Sequence, residues 1–153
     1  MEAFFFDSSA LVKFYISETG TAWVKGLGDP LAGNRLYIAR IAGAEVVSAI
    51  TRRHRAGAIA AKDAASALVD FRTDFADEYV IAEVDAALVS DAMGLAEERA
   101  LRAYDAIQLA AALKVNRQRL VATLPALTLI SADLALNRAA IGEGLVVDDP
   151  NSH

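Results

Sequence analysis

The sequence predicts an α/β protein with a central, mostly parallel sheet and helices on both of its faces. Three observations predict it. Short apolar runs recur at residues 3–6, 36–38, 79–81, 127–130 and 145–147. Longer stretches with apolar residues three and four apart separate them, as in amphipathic helices. The opening run is apolar at every position rather than alternating with polar residues, which suits a strand covered by helices on each side. With 153 residues and no linker or internal repeat, the chain reads as a single domain, 1–153. That is long enough to bury roughly two-thirds of its unfolded surface.

Taken in order, Ala3, Phe4, Phe5 and Phe6 form a buried strand ending at Asp7. Ser8 and Ser9 make a sharp turn, and residues 10–15 begin a helix. The break Ser17-Glu18-Thr19-Gly20 closes it. Residues 21–27 form a second short helix, ended by Gly28-Asp29-Pro30, and Leu36-Tyr37-Ile38 a second strand. Residues 40–50 continue as an apolar helix with one acid. There Ile41, Ala44, Val47 and Ser48 share one stripe, and Ala42, Glu45, Ala49 and Arg52 the adjoining one. The helix closes on Arg52-Arg53-His54-Arg55-Ala56-Gly57, where cations meet the negative end of the dipole. His54 in that setting reads as solvated.

Residues 58–75 are an alanine-rich helix with Ala64, Leu68, Phe71 and Phe75 on one face, and a strand follows at Tyr79-Val80-Ile81. Residues 84–99 are a helix burying Leu88, Met93 and Leu95. Asp70, Asp74, Asp77, Asp85 and Asp91 read as surface charges. Residues 101–113, LRAYDAIQLAAAL, form a helix that is apolar on nearly every face. A polar loop over 116–119, a strand at 127–130, a helix over 134–140 and a last strand at 145–147 complete the chain.

Composition narrows the function classes. The hydrophobic fraction is 55%, but much of it is alanine, and no apolar run approaches the roughly 20 residues needed to span a bilayer. No basic region precedes an apolar core at the start, so a soluble, cytoplasmic protein without a membrane partner is expected. The absence of cysteine excludes disulfides, thiol nucleophiles and thiolate metal sites. A net charge of −5 argues against nonspecific coating of nucleic acid. It leaves room for a nuclease, whose catalytic acids themselves add negative charge.

The acids carry the chemistry. Asp105 is the one acidic side chain in its apolar helix. Either it caps the helix or sits in its first turn, or it ligates a metal; the run alone does not separate these readings. Asp7 and Asp133 each follow a strand and precede a helix, where ligands bind in open α/β sheets and where capping residues are also common. Glu45 emerges at the edge of a core-facing surface, with a salt bridge to Arg52 or Arg53 as the plain alternative. In the predicted fold, these four carboxylates meet in one cleft. Their repulsion makes sense if divalent cations bind there, since Mg²⁺ prefers oxygen ligands and substrate phosphate. Such a site cleaves phosphodiesters.

At this point FFFDSSALVKFY, Glu45 in AEVVSAITRR, LRAYDAIQLAAAL, LISADLAL and GLVV together resemble the PIN-domain ribonucleases, specifically the VapC-type toxins of bacterial toxin–antitoxin pairs. The resemblance spans essentially the whole chain. It implies a three-layer α/β/α PIN-like fold and a metal-dependent endoribonuclease acting on RNA. Asp7, Glu45, Asp105 and Asp133 match the family's acidic positions, Ser9 and Ser131 its supporting hydroxyls, and Mg²⁺ or Mn²⁺ is the implied cofactor. Asp7 and Asp105 would hold the primary ion, Glu45 would complete the site or orient water, and Asp133 would bind a second ion or act in the outer shell. Arg52, Arg53 or Arg102 would hold flanking phosphates. A homodimer and a cognate VapB-like antitoxin covering the cleft are the implied partners. The segment 118–127, with Pro125, is longer than the family's usual link into the strand that precedes Asp133. Two other classes stand beside this reading. One is a noncatalytic PIN-like RNA-binding module; the other is a phosphatase of an unrelated α/β fold with Asp7 as nucleophile, although Ser9 occupies the second acidic position of a D-x-D pair.

Overall fold

The computed structural model describes all residues 1–153. Five strands, β1 (Ala3–Phe6), β2 (Arg35–Ala39), β3 (Val80–Ala82), β4 (Thr128–Ile130) and β5 (Val146–Asp148), form one sheet in the order β3-β2-β1-β4-β5. Every neighbouring pair is parallel, and Phe5 stands opposite both Tyr37 and Leu129. The helices are α1 (Ser8–Leu11), α2 (Thr21–Leu27), α3 (Ala42–Arg55), α4 (Ala61–Asp77), α5 (Ala86–Arg99), α6 (Ala103–Val121) and α7 (Leu134–Gly142). A 3₁₀ turn over Val12–Phe14 extends α1.

The aromatic run explains the three layers. Successive side chains of a strand point to opposite faces, so Phe5 enters one core with Leu88, Leu109, Leu129 and Leu136. Phe4 and Phe6 enter the other with Leu11, Ile38, Val46, Ile50, Phe71 and Ile130. The first core lies under α5, α6 and α7, and the second under α1 to α4. Phe5 and Phe6 are fully buried, and truncating either to alanine costs roughly 3–5 kcal/mol.

From β1 the chain steps outward through β2 to β3, then crosses back to place β4 on β1's other side. The order in which strands are added therefore reverses beside β1, and the carboxyl ends of β1 and β4 border the crevice where such sheets bind ligands.

Four local expectations are corrected. Residues 116–119 are helix, because α6 runs on to Val121. Their polar side chains tie down the chain that follows. Asn116 Oδ1 accepts from the Leu127 amide at 3.0 Å, and buried Arg119 donates to the Pro125 carbonyl at 2.8 Å and the Tyr37 hydroxyl at 3.1 Å. The link into β4 is correspondingly shorter than the sequence suggested. Met93, expected inside, is 68% exposed, because α5 seats Leu88 and Ala92 instead. In α3 the buried stripe is Ala42, Val46 and Ile50; the larger β-branched side chains take the core, while Ala44 and Ser48 face outward. One supposed surface charge, Asp74, is half-buried and accepts from the Tyr15 hydroxyl at 2.8 Å.

Candidate active site

Each of the four acids stands at the start of a helix. Asp7 and Asp133 are the N-caps of α1 and α7, accepting from the Ala10 amide at 3.1 Å and the Leu136 amide at 2.9 Å. Glu45 and Asp105 lie in the first turns of α3 and α6. The cap and site readings of Asp7 and Asp133 are therefore not exclusive. Helix starts carry partial positive charge, which favours anions there.

Two serines join the strand ends. Ser9 Oγ donates to Asp7 Oδ1 at 2.7 Å and accepts from the Ala132 amide at 3.0 Å, which ties the end of β1 to the segment after β4. Ser131 Oγ accepts from the Asp133 amide at 3.1 Å, and its hydroxyl lies near enough to Asp7 to favour the ionised carboxylate. Glu45 makes no ion pair with Arg52 or Arg53. One of its oxygens accepts from Ser8 Oγ at 3.1 Å and the other from Gln108 Nε2 at 2.7 Å. The sequence reading passed over Ser8 and Gln108. The one signal for Gln108 was a polar side chain three residues after Asp105, on the same face of an apolar helix.

The electrostatics show that the acids feel one another. Asp7 is only 3% exposed. Burial pushes its carboxyl up to about 7 against its hydrogen bonds to Ser9 and Ala10 and the nearby Ser131 hydroxyl, and the charge of Asp133 adds to the rise. Burial raises Asp105 as well, helped by Asp133 and opposed by Arg102. Glu45 is raised by burial against its bonds to Gln108 and Ser8, with Asp105 adding to the rise. None of the chain's seven ion pairs includes any of the four acids.

Donor chemistry and missing countercharge thus fit a divalent cation that takes oxygen ligands. No three of the carboxylates yet form a ready-made ligand set, so an ion would have to draw them in. Of the candidate RNA contacts, Arg102 caps α6 beside Asp105. Arg52 lies about 10 Å along α3 from Glu45 at 1.5 Å per residue, and Arg53 is held by Glu18 at 3.3 Å. A cavity of about 500 Å³ against α5 and α6 is lined by Asp91, Glu98 and Arg117 and contains none of the candidate residues.

A parallel three-layer sheet with unpaired acids at its switch point defines the class, and the sequence places the chain within it. The chain belongs to the PIN domain family, which matches residues 4–142. No curated protein matches it in sequence. Its fold is similar to that of PAE2754 from Pyrobaculum aerophilum, with 20% identity, a TM-score of 0.64 and coverage of 99% of this chain and 91% of that one. VapBC2 from Rickettsia felis, solved bound to a promoter DNA fragment, is similar at 14% identity and TM-score 0.62, covering 96% and 98%. FitAcB from Neisseria gonorrhoeae is similar at 14% identity and TM-score 0.57, covering 96% and 97%. The expectation of a PIN-like fold is met, and a phosphatase of an unrelated fold is set aside.

Proposed function

We propose that this protein is a metal-dependent endoribonuclease, the toxin of a type II toxin–antitoxin pair, which hydrolyses RNA phosphodiester bonds in the cytoplasm. The observation that carries the reading is Asp7, a buried carboxyl with no cation partner, grouped with Glu45, Asp105 and Asp133 at the sheet's switch point. Stability alone disfavours such a group, so a ligand that supplies positive charge accounts for it. The same argument weighs against a noncatalytic binding module.

Asp7 and Asp105 would hold Mg²⁺ or Mn²⁺, with Glu45 and Asp133 completing the set. The ion, when bound, would offset charge on the scissile phosphate and lower the pKa of a water, so that it gives up a proton and becomes the hydroxide nucleophile at phosphorus. Ser9 fixes the Asp7 carboxylate by the bond described above, and Ser131, which accepts from the Asp133 amide, supports it from the end of β4. The hydroxyl of Ser8 and the amide of Gln108 hold Glu45. Arg102, exposed at the start of α6 beside Asp105, would steady a flanking phosphate, with Arg52 and Arg53 near the end of α3 as further candidates. The family and the toxin–antitoxin complexes among similar folds support a VapB-like antitoxin as partner. Exposed Met93 and Tyr104 on α5 and α6 support a homodimer.

The test is cleavage of single-stranded RNA by the purified protein with Mg²⁺ or Mn²⁺, with chelator, and with Asp105→Asn. Cleavage that needs the ion and is lost in the folded variant supports the reading. Equal cleavage by the variant overturns it.

A further inference from the structure

We infer that Gln108 is a positioning residue for Glu45, and that its amide together with the Ser8 hydroxyl sets the plane of that carboxylate before an ion arrives. This rests on the nuclease reading. Gln108 is 1% exposed, among Leu109, Ala110, Ala111 and Ala112 on the most buried stretch of α6. Its Nε2 donates to Glu45 Oε1 at 2.7 Å, a short bond typical of an ionised acceptor. Its own oxygen, Oε1, is buried with no hydrogen-bond partner. An unpaired buried amide oxygen destabilises a fold, and a methionine or leucine would fill the same space without it. Packing therefore does not account for glutamine here, whereas the bond to Glu45 does.

The geometry around Glu45 makes that bond matter. Glu45 is a half-buried side chain on a long, rotatable stem. Ser8 reaches it from α1 and Gln108 from α6, so three elements meet on one carboxylate. With a donor on each oxygen, rotation about the terminal bond is blocked, and the remaining lone pairs keep a fixed direction. Partners of this kind, one step removed from a metal, orient the groups that ligate it.

The test uses Gln108→Met, which keeps length and volume but removes donor and acceptor. The variant is expected to melt at or above the wild-type temperature without metal. Its Mn²⁺ affinity, read by calorimetry, should fall roughly tenfold or more, and RNA cleavage at saturating Mn²⁺ by about tenfold to a hundredfold. In a Glu45→Gln background the same substitution should change Mn²⁺ affinity by less than about twofold, since the coupled partner is gone. Wild-type affinity and turnover in Gln108→Met overturn the inference. So do equal losses in both backgrounds, which would mark a packing role. A wild-type protein that binds Mn²⁺ but cuts no RNA defeats the nuclease reading while the binding arms still judge Gln108. One that binds no Mn²⁺ defeats both.

Discussion

Two buried charges a few residues apart are treated in opposite ways. Lys13, in the turn that extends α1, is 4% exposed. Its ammonium spends all three donors, on Glu18 Oε1 at 3.3 Å, the Thr19 carbonyl at 2.8 Å and Asn151 Oδ1 at 3.0 Å. Asn151 belongs to the terminal segment, which is also pinned where His153 stacks on Trp23 at 4.0 Å. Asp7, equally buried, has hydrogen bonds but no cation, and the charge of Asp133 beside it adds to the cost; Asp133 bears in the same way on Asp105, and Asp105 on Glu45. A charge buried for structure is matched by the protein itself, as Lys13 is. The unmatched group at the sheet's carboxyl edge leaves its compensation to something that binds.

The sharpest way to break this contrast is to neutralise one unmatched acid. Asp105→Asn should keep its fold by circular dichroism and lose RNA cleavage on the order of a thousandfold, measured under single-turnover conditions; a near-normal rate would make the acids structural.

Titration probes the same asymmetry without metal. Asp7 binds its proton more tightly folded, at about 7, than its ordinary value of 3.8. Below about 4 both states are protonated and the contribution is fully present. As pH rises toward 7 the unfolded chain loses the proton first, so stability falls, by roughly 4 kcal/mol at about 1.4 kcal/mol per pH unit of separation. Denaturant melts of the ion-free protein across that window should show the decline, and Asp7→Asn should flatten it. A matching slope in the variant would assign the effect to another group.

The matched charge should respond to removal in the opposite way. Lys13→Met strips three acceptors of their donor and should lower stability by roughly 3 kcal/mol, a drop on the order of 6–12 °C in Tm, while leaving the RNA cleavage rate of the folded protein unchanged. An unaltered melt would mean that the clasp is ornamental.

Supplying the missing charge gives the smallest effect. At about a hundredfold excess over its dissociation constant, Mg²⁺ or Mn²⁺ should add roughly 2.7 kcal/mol, or about 5–10 °C. Asp105→Asn should melt higher than the wild type without metal and gain less from it. Equal shifts in both proteins would locate the ion elsewhere.

Much of this was legible along the chain because the signals are local. Phe4, Phe5 and Phe6 announce a strand covered on both sides, and Asp7 and Asp133 announce turns into helices whatever else they do. The acids' grouping followed from topology, since a parallel sheet brings strand ends to one edge even when they lie far apart in sequence. Where the reading failed, the deciding partner was distant. Residues 116–119 look like a loop until Tyr37 and Pro125 are there to receive Arg119. For Glu45 the sequence offered only the nearest arginines as an alternative to a site role, and its actual partners, Gln108 and Ser8, arrive from other elements. Amino-acid order therefore determined most of the elements and their layers and marked the four acids as candidates, because periodicity and capping act within a few residues. Tertiary structure alone decided which polar groups those acids meet and how far burial raises their carboxyls, because solvation and hydrogen bonding depend on what packs nearby in space.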